Sequence, residues 1–229
     1  MMRAAGVLLA ASLAAATARA DDGLHYVGDL GLGVQRTQAC APGASARTWA
    51  LPYAYGDLGR LFVREDTFGA KLLPVGWGAL ELVGRVSTEG TDGDGPGLAH
   101  RTNPRPVGLG TFQETPWGGV FADAFVDTVS GGTLLEASYA AELPLGPLTL
   151  YPQAGLTRRS ARYEAHLVDV HAASTTPVLQ LSGELPFAGT WVALAHVQWE
   201  PLAAAVRASP RVSARSRASA LLALAWRFK

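Results

Sequence analysis

Short runs in which apolar and polar residues alternate recur along the chain, and they constrain its fold more than any other feature. In the first run Leu24, Leu30 and Val34 fall on one face, while His25 and Asp29 fall on the other. Successive side chains of a β-strand point to opposite faces, whereas a helix spaces its apolar residues three or four apart. The pattern therefore predicts a protein built from β-strands.

The alternating runs divide the chain into twelve predicted strands, and the strand count is left open only around residues 57–76. The strands cover residues 24–36, 47–56, 59–64, 67–73, 77–88, 106–115, 118–130, 132–143, 147–162, 176–186, 190–201 and 215–228. Short turns with Gly or Pro lie at 56–59, 73–76, 116–119, 144–147 and 187–189. Longer polar stretches lie at 37–46, 89–105, 164–175 and 202–214.

The order of these connections favours a barrel that crosses the outer membrane. If both chain ends are periplasmic, the four long stretches lie outside the cell and the five short turns lie inside. Short periplasmic turns, longer outer loops and an even strand count are typical of outer-membrane barrels. We therefore expect an all-β fold, a closed antiparallel transmembrane β-barrel of about 12 strands.

A soluble β-sandwich or a lipocalin-like barrel is the competing fold, because periodicity alone does not say which face is the inner one. Three features favour the membrane barrel. The apolar faces are rich in Ala and Gly, the last strand carries Trp226 and Phe228 on one face, and aromatic residues cluster near strand ends, where the interfacial girdles of a membrane barrel are expected. The aromatic residues in question are Tyr26, Trp49, Tyr55, Trp77, Trp117, Trp191, Trp199, Trp226 and Phe228.

The first twenty residues read as a signal peptide. Arg3 precedes an apolar core at residues 7–16, and Ala18-Arg19-Ala20 forms a small-x-small cleavage site. The core is too short for a transmembrane helix, which needs roughly 20 apolar residues. We therefore expect cleavage after residue 20, a barrel over residues 21–229 and a location in the cell outer membrane.

Composition excludes several classes of protein. Nineteen basic residues balance nineteen acidic ones, and nucleic-acid-binding domains normally carry a basic excess. A single cysteine, Cys40, leaves no intrachain disulfide and no multi-cysteine zinc site. Charged residues make up 17% of the chain, compared with about 25% in an average soluble protein.

No catalytic, cofactor-binding or metal-binding residue is predicted. His25, His196 and Ser138 fall on polar strand faces and could meet in a hydrolase-like group, but ordinary polar residues of a lumen explain them as well. The segment with Glu164, His166, Asp169 and His171 matches no known spacing of metal ligands and is interpreted as a solvated loop.

A sequence resembling a calcium loop, Thr-Asp-Gly-Asp-Gly at 91–95, lacks the acidic residue expected at its twelfth position, which is Asn103. It is interpreted as a flexible glycine-rich loop.

A basic group in the last outer loop has a possible role in binding lipopolysaccharide phosphates, although this chain uses arginine for most of its basic residues. The group consists of Arg207, Arg211, Arg215 and Arg217.

Charged residues of both signs are expected to face the lumen. They are Asp29, Arg64, Lys71, Glu81, Arg85, Asp123, Asp127, Glu136, Glu142, Arg159, Glu184, Glu200, Arg217 and Arg227. Mutual pairing would close the lumen, whereas an unpaired arrangement would leave a narrow aqueous channel. Twelve strands lie between small filled barrels and the open porins, so both outcomes are possible.

Several segments resemble the MipA/OmpV family. They are Tyr-Val-Gly-Asp-Leu-Gly-Leu-Gly at 26–33, Trp-Ala-Leu-Pro-Tyr-Ala-Tyr at 49–55, the tyrosine-containing stretch 163–173, Ser-Pro-Arg-Val at 209–212 and the last strand at 221–228. The resemblance implies an outer-membrane barrel in contact with membrane lipid and lipopolysaccharide. The family's namesake is described as a scaffold that joins a lytic transglycosylase to a penicillin-binding protein.

We therefore expect a non-enzymatic scaffold for peptidoglycan-remodelling enzymes, a role that the resemblance alone implies. A small passive pore for polar solutes is the alternative. An outer-membrane lipid-modifying enzyme ranks third.

Overall fold

The computed structural model describes residues 24–90 and 100–229. The expected signal peptide and the glycine-rich motif at 91–95 lie outside these residues. The elements are β1 (Tyr26–Thr37), β2 (Arg47–Leu58), β3 (Leu61–Arg64), β4 (Thr67–Val75), β5 (Gly78–Arg85), β6 (Pro106–Thr115), β7 (Gly118–Asp127), β8 (Thr133–Ala141), β9 (Leu143–Leu145), β10 (Leu148–Arg159), α1 (Ala161–Val168), β11 (Ser174–Pro186), β12 (Trp191–Pro201), α2 (Ala204–Arg207) and β13 (Ser216–Phe228).

The strands form one closed antiparallel barrel. Each strand pairs with its neighbours along the chain, and β13 pairs with β1 to close the ring. β8 and β9 both pair with β10 on either side of an interruption at Glu142, so they count as one wall strand. The barrel therefore has twelve strands, and each of the twelve predicted segments is confirmed to within a few residues.

The connections sort between the two ends of the barrel as the sequence predicts. We call the end where β1 begins and β13 ends the terminal end, and the opposite end the loop end. Five short turns lie at the terminal end, and all four long stretches lie at the loop end. Among the described residues, no helix combines the length and apolar character needed to cross a membrane.

The barrel turns its apolar face outward and its charged face inward. On the outer surface Leu32 is 73% exposed and Leu222 is 66% exposed, whereas Asp29 and Glu81 on the inner face are only 4% and 2% exposed. A soluble barrel buries its apolar face instead. This arrangement resolves the ambiguity that periodicity leaves, and it is compatible with an outer-membrane barrel.

Strand β2 departs from this rule, and the expectation that Trp49 and Tyr55 belong to an outer aromatic girdle is wrong. Its register with β1 and β3 places Trp49, Tyr53 and Tyr55 on the same face as Asp29, which is the lumen. The neighbouring strands carry small residues at this part of the inner face, such as Gly31 and Ala225. The space that they leave accommodates the large side chains of β2.

The aromatic residues of β7 also lie inside. Phe121 stacks on Phe112 of β6 with ring centroids 4.7 Å apart, and the guanidinium of Arg85 lies 4.8 Å from the ring centroid of Phe125. This explains why Phe121 and Phe125 alternate in phase with the acidic Asp123. The lumen is a mixed surface of aromatic rings and charges.

The barrel wall is incomplete beside β2. Strand β3 has four residues, whereas a membrane-spanning strand needs about 9–11. Among the described residues, the edge of β2 from Thr48 to Tyr53 is not paired with β3. The Ala54 carbonyl accepts from the Glu65 N–H on that edge. The backbone nitrogen of Pro52, two residues before Ala54, faces the same open edge of β2. Its missing N–H is therefore tolerated, as expected for proline on an open edge.

Candidate functional site

The loop end of the lumen is crossed by a buried ionic group, which we call the loop-end network: Glu89, Arg159, Tyr163, Glu200 and Arg217. Arg159 of β10 donates through both of its terminal nitrogens to the Glu200 carboxylate of β12. A single oxygen of Glu89, Oε1, accepts from Arg159 at 3.3 Å and from Arg217 of β13 at 3.0 Å. The network therefore ties β10, β12 and β13 to the segment that follows β5.

Tyr163 of α1 also belongs to this network. Its hydroxyl donates to Glu89 Oε2 at 2.7 Å. Burial alone would raise the pKa of the Glu89 carboxyl, but the nearby Arg159 and Arg217 guanidinium groups and this hydrogen bond outweigh it and lower the pKa to about 2. Glu89 is therefore a carboxylate at any physiological pH.

Helix α1 closes the lumen beneath the loops. Its Tyr163 and Leu167 side chains pack into a buried cluster with residues that point inward from four wall strands. These wall residues are Phe62, Val83, Phe125 and Leu134. Tyr163 is 1% exposed. Apolar packing and the ionic network thus fill this end of the lumen within the described part of the chain.

The α1 plug is the feature that the sequence analysis missed, because segment 147–162 was assigned wholly to a strand and 164–175 to a polar loop. A signal was present. Ser160 is a favourable N-cap residue, and Tyr163 and Leu167 follow at the spacing of one helical face. The last long loop also contains a packed cluster rather than a polar stretch, formed by Leu202, Val206 and Val212.

We expect Ser160→Ala to destabilise the plug. The Ser160 hydroxyl accepts from the Tyr163 N–H and, at 2.8 Å, from the Thr133 N–H of β8. Losing an N-cap costs about 1 kcal/mol, which would appear as a lower unfolding midpoint of the detergent-solubilised protein. Ser160→Asp retains an acceptor and is the matched control. Equal losses in both variants would contradict the capping role.

Further ion pairs line the lumen, one group towards the terminal end and one towards the loop end, in agreement with the predicted set of inward charges. Arg227 donates to both carboxylate oxygens of Asp29, at 2.7 and 2.6 Å, and to Glu184 of β11. Arg85 pairs with Glu136 of β8. Of the predicted set, Glu142 is misplaced, because it is exposed at the interruption between β8 and β9. The observed pairing favours the closed alternative for the lumen.

The terminal end holds a cavity of about 340 Å³, which we call the terminal-mouth cavity. It is lined by Tyr55, Gly56, Asp57, Arg64, Lys71, Trp77, Gly78, Ala79, Glu81, Phe112 and Glu114. Charged and aromatic side chains alternate around its wall. The cavity is therefore amphipathic, with polar groups of both signs.

Two ion pairs organise this cavity. Arg64 and Glu81 form a bidentate pair with both contacts at 2.9 Å. The Lys71 Nζ atom lies 2.9 Å from the Asp57 carboxylate. Glu114 forms no ion pair with another described residue. The cavity thus contains one rigid pair, one more exposed pair and one free carboxylate.

The three residues considered for hydrolase chemistry do not meet. His196 contacts Ser182 through Nδ1 at 2.9 Å, Ser138 accepts from Gln153, and His25 donates to the main-chain oxygen of Lys229. The only carboxylate paired with His196 in the described structure, Glu65, lies 3.8 Å from that same Nδ1. A catalytic triad requires the serine and the acid on different ring nitrogens.

The residues considered as metal ligands contact separate partners and do not converge on one point. His166 donates to the carbonyl of Thr102, and Asp169 pairs with Arg101 and Arg211. Its interpretation as a solvated loop is wrong for Glu164, which is 1% exposed and accepts from the Ser174 hydroxyl. Within residues 24–90 and 100–229, no group of His, Cys, Asp and Glu is arranged to hold a metal ion.

The expected basic patch of the last outer loop is only partly present. Arg217 points inward to Glu89, so its assignment to the patch is wrong, and Arg211 is paired with Asp169. Arg207 and Arg215 are exposed.

Cys40 lies partly buried beside this loop, and burial raises the pKa of its thiol, in keeping with an unreactive residue.

These observations define a closed twelve-stranded antiparallel β-barrel with an ionic interior, a plugged loop end and an apolar outer surface. A family model described as "MltA-interacting protein MipA" matches residues 30–228. The chain belongs to this family, which confirms the resemblance seen in its strand motifs. No curated protein sequence matches the chain.

Proposed function

We propose that this protein is a non-enzymatic outer-membrane barrel that serves as a scaffold for peptidoglycan-remodelling enzymes. The observation that supports it most directly is the asymmetry of the barrel. The loop end is filled by α1 and the loop-end network, whereas the terminal end exposes large aromatic side chains on its turns. In the described residues, such a molecule offers exposed side chains at its terminal end and has a packed loop end.

The outer surface supports a membrane location. A closed barrel pairs the backbone groups of its wall, as the bilayer demands, and in the described residues the open edge of β2 beside β3 is the exception. Trp191 stacks edge-to-face on Trp226, and Tyr26 stacks likewise on Phe228, at the terminal end of the outer face. Aromatic girdles occupy the membrane interfaces of such barrels. Membrane lipid would then be the immediate environment of the apolar wall.

The docking surface would be the terminal rim. Trp77 and Trp117 lie at the tips of neighbouring turns and are 73% and 77% exposed. Tryptophan is enriched among the residues that contribute most to binding at protein interfaces. The turns are short, so a partner would have to contact the rim itself. The family description names an interaction with MltA. From the role described for the family's namesake, we propose a lytic transglycosylase and a penicillin-binding protein as occupants.

This proposal predicts that the double variant Trp77→Ala, Trp117→Ala loses its partners. Solubilised wild-type protein should retain a murein hydrolase or synthase from envelope extract, and the double variant should retain several-fold less. Trp191→Ala removes a tryptophan from the wall and is the matched control. Retention by wild-type protein no greater than by an unrelated barrel would refute the scaffold.

The passive pore is less well supported, because the described interior charges are mostly paired and the loop end is packed. A lipid-modifying enzyme has no assembled site among the described residues. Phospholipid turnover by the purified barrel that is lost in His196→Ala would contradict the non-enzymatic proposal.

A further inference from the structure

We propose that the terminal-mouth cavity binds a small zwitterion, namely a free amino acid or short peptide with an unblocked ammonium and carboxylate. Its volume of about 340 Å³ falls within the range of small-molecule sites, about 300–1,000 Å³. This binding does not depend on the scaffold role, although Trp77 belongs both to the cavity wall and to the proposed docking rim.

One ion pair forms a fixed wall of this cavity. The Arg64 and Glu81 side chains are 15% and 3% exposed and satisfy each other through two hydrogen bonds. The Arg64 guanidinium also lies 4.2 Å from the Phe62 ring centroid and 4.9 Å from that of Phe112. Its geometry is thus held on several sides. This pair shapes the cavity and leaves recognition to other residues.

The other pair is open to exchange. The Lys71 and Asp57 side chains are 33% and 46% exposed, and an ion pair in contact with water contributes little to stability. A ligand carboxylate can replace Asp57 beside the Lys71 ammonium, and a ligand ammonium can take the place of Lys71 beside Asp57. A zwitterion substitutes for both partners at once, so no charge of the pair is left unmatched.

The remaining wall selects against ligands of a single charge. An anion would face the carboxylates of Asp57, Glu81 and Glu114, and a cation would leave Lys71 without a new partner. Glu114 provides an additional acceptor for an ammonium group. The Tyr55, Phe112 and Trp77 rings offer an apolar surface for a side chain or methylene stem.

The test is isothermal titration of the full-length protein in detergent with three probes. They are alanyl-leucine, its N-acetyl derivative, which lacks the ammonium, and its C-terminal amide, which lacks the carboxylate. We expect alanyl-leucine to bind and each blocked form to bind about tenfold more weakly, the usual effect of losing a hydrogen bond to a charged group. Absence of binding by alanyl-leucine, or equal or tighter binding of a blocked form, would overturn the proposal.

Two variants assign the ends of the ligand. Lys71→Met should weaken binding of alanyl-leucine several-fold and should not weaken binding of the amide, because the amide has no carboxylate to lose and no longer has to displace Lys71 from Asp57. Glu114→Gln should weaken binding of alanyl-leucine and should not weaken binding of the N-acetyl form, which has no ammonium to lose and then faces one carboxylate fewer. Glu142→Gln changes an exposed carboxylate outside the cavity at the same end, and it should bind like wild type. Equal losses in all three variants would refute this assignment. Dipeptide binding without partner retention would show that the scaffold alone is wrong.

Discussion

Replacing Arg159 with methionine should lower the free energy of unfolding by about 3–5 kcal/mol, the cost of removing one partner from a buried ion pair. The loss is large because the Glu200 side chain is 2% exposed and would keep a charge that Arg159 no longer balances. Arg217 lies 3.9 Å from Glu200 but already pairs with Glu89 at 3.0 Å, and the Thr176 hydroxyl that donates to Glu200 carries no charge. Thermal or denaturant unfolding followed by circular dichroism would measure the effect.

A double variant and a surface control make this result specific to the pair. Arg159→Met combined with Glu200→Gln removes both charges and should recover most of the stability, since Glu89 still pairs with Arg217. Arg207→Met changes an exposed arginine of α2 and should be neutral. If the double variant were as unstable as the single one, side-chain packing and not charge would explain the loss.

Replacing Tyr163 with alanine should open the lumen. Tyr163 is buried beneath α1 and hydrogen-bonds to Glu89. Truncation of a buried aromatic side chain costs about 3–5 kcal/mol, enough to loosen an eight-residue helix. In planar bilayers we expect no discrete conductance steps from the wild-type protein and discrete steps from Tyr163→Ala.

Tyr163→Phe is the control for this opening. It retains the ring that packs against Phe125 and Leu134 and loses only the hydroxyl contact with Glu89, so it should remain non-conducting. Conductance of the wild-type barrel would favour the passive pore over the scaffold. A silent but folded Tyr163→Ala variant would show that α1 is not the part that closes the lumen.

Local alternation was sufficient to predict the wall strands. The side-chain period of two is a property of each strand alone, so the twelve segments were found without knowledge of their partners. The same logic placed Asp29, Arg85 and Glu200 on the inner face. It failed for Trp49 and Tyr55, because the orientation of β2 depends on small residues of neighbouring strands that the β2 sequence does not contain.

The functional features formed by distant residues were harder to predict. Glu89 and Arg217 are 128 positions apart in the chain, and no local pattern predicts that they meet. The terminal-mouth cavity likewise combines residues from five consecutive strands, β2 to β6. These contacts depend on barrel closure and strand register, which hydrogen bonds between strands determine.

The amino-acid sequence alone therefore specified the strands, the turns, the inward charges and the family, because each depends on residues close together in the chain. Folding in three dimensions decided which face of β2 is internal, how the charges pair, that α1 fills the loop end and that a cavity remains at the terminal end. The physical reason is that ion pairing and packing depend on distances across the lumen, and these distances exist only once the barrel has closed.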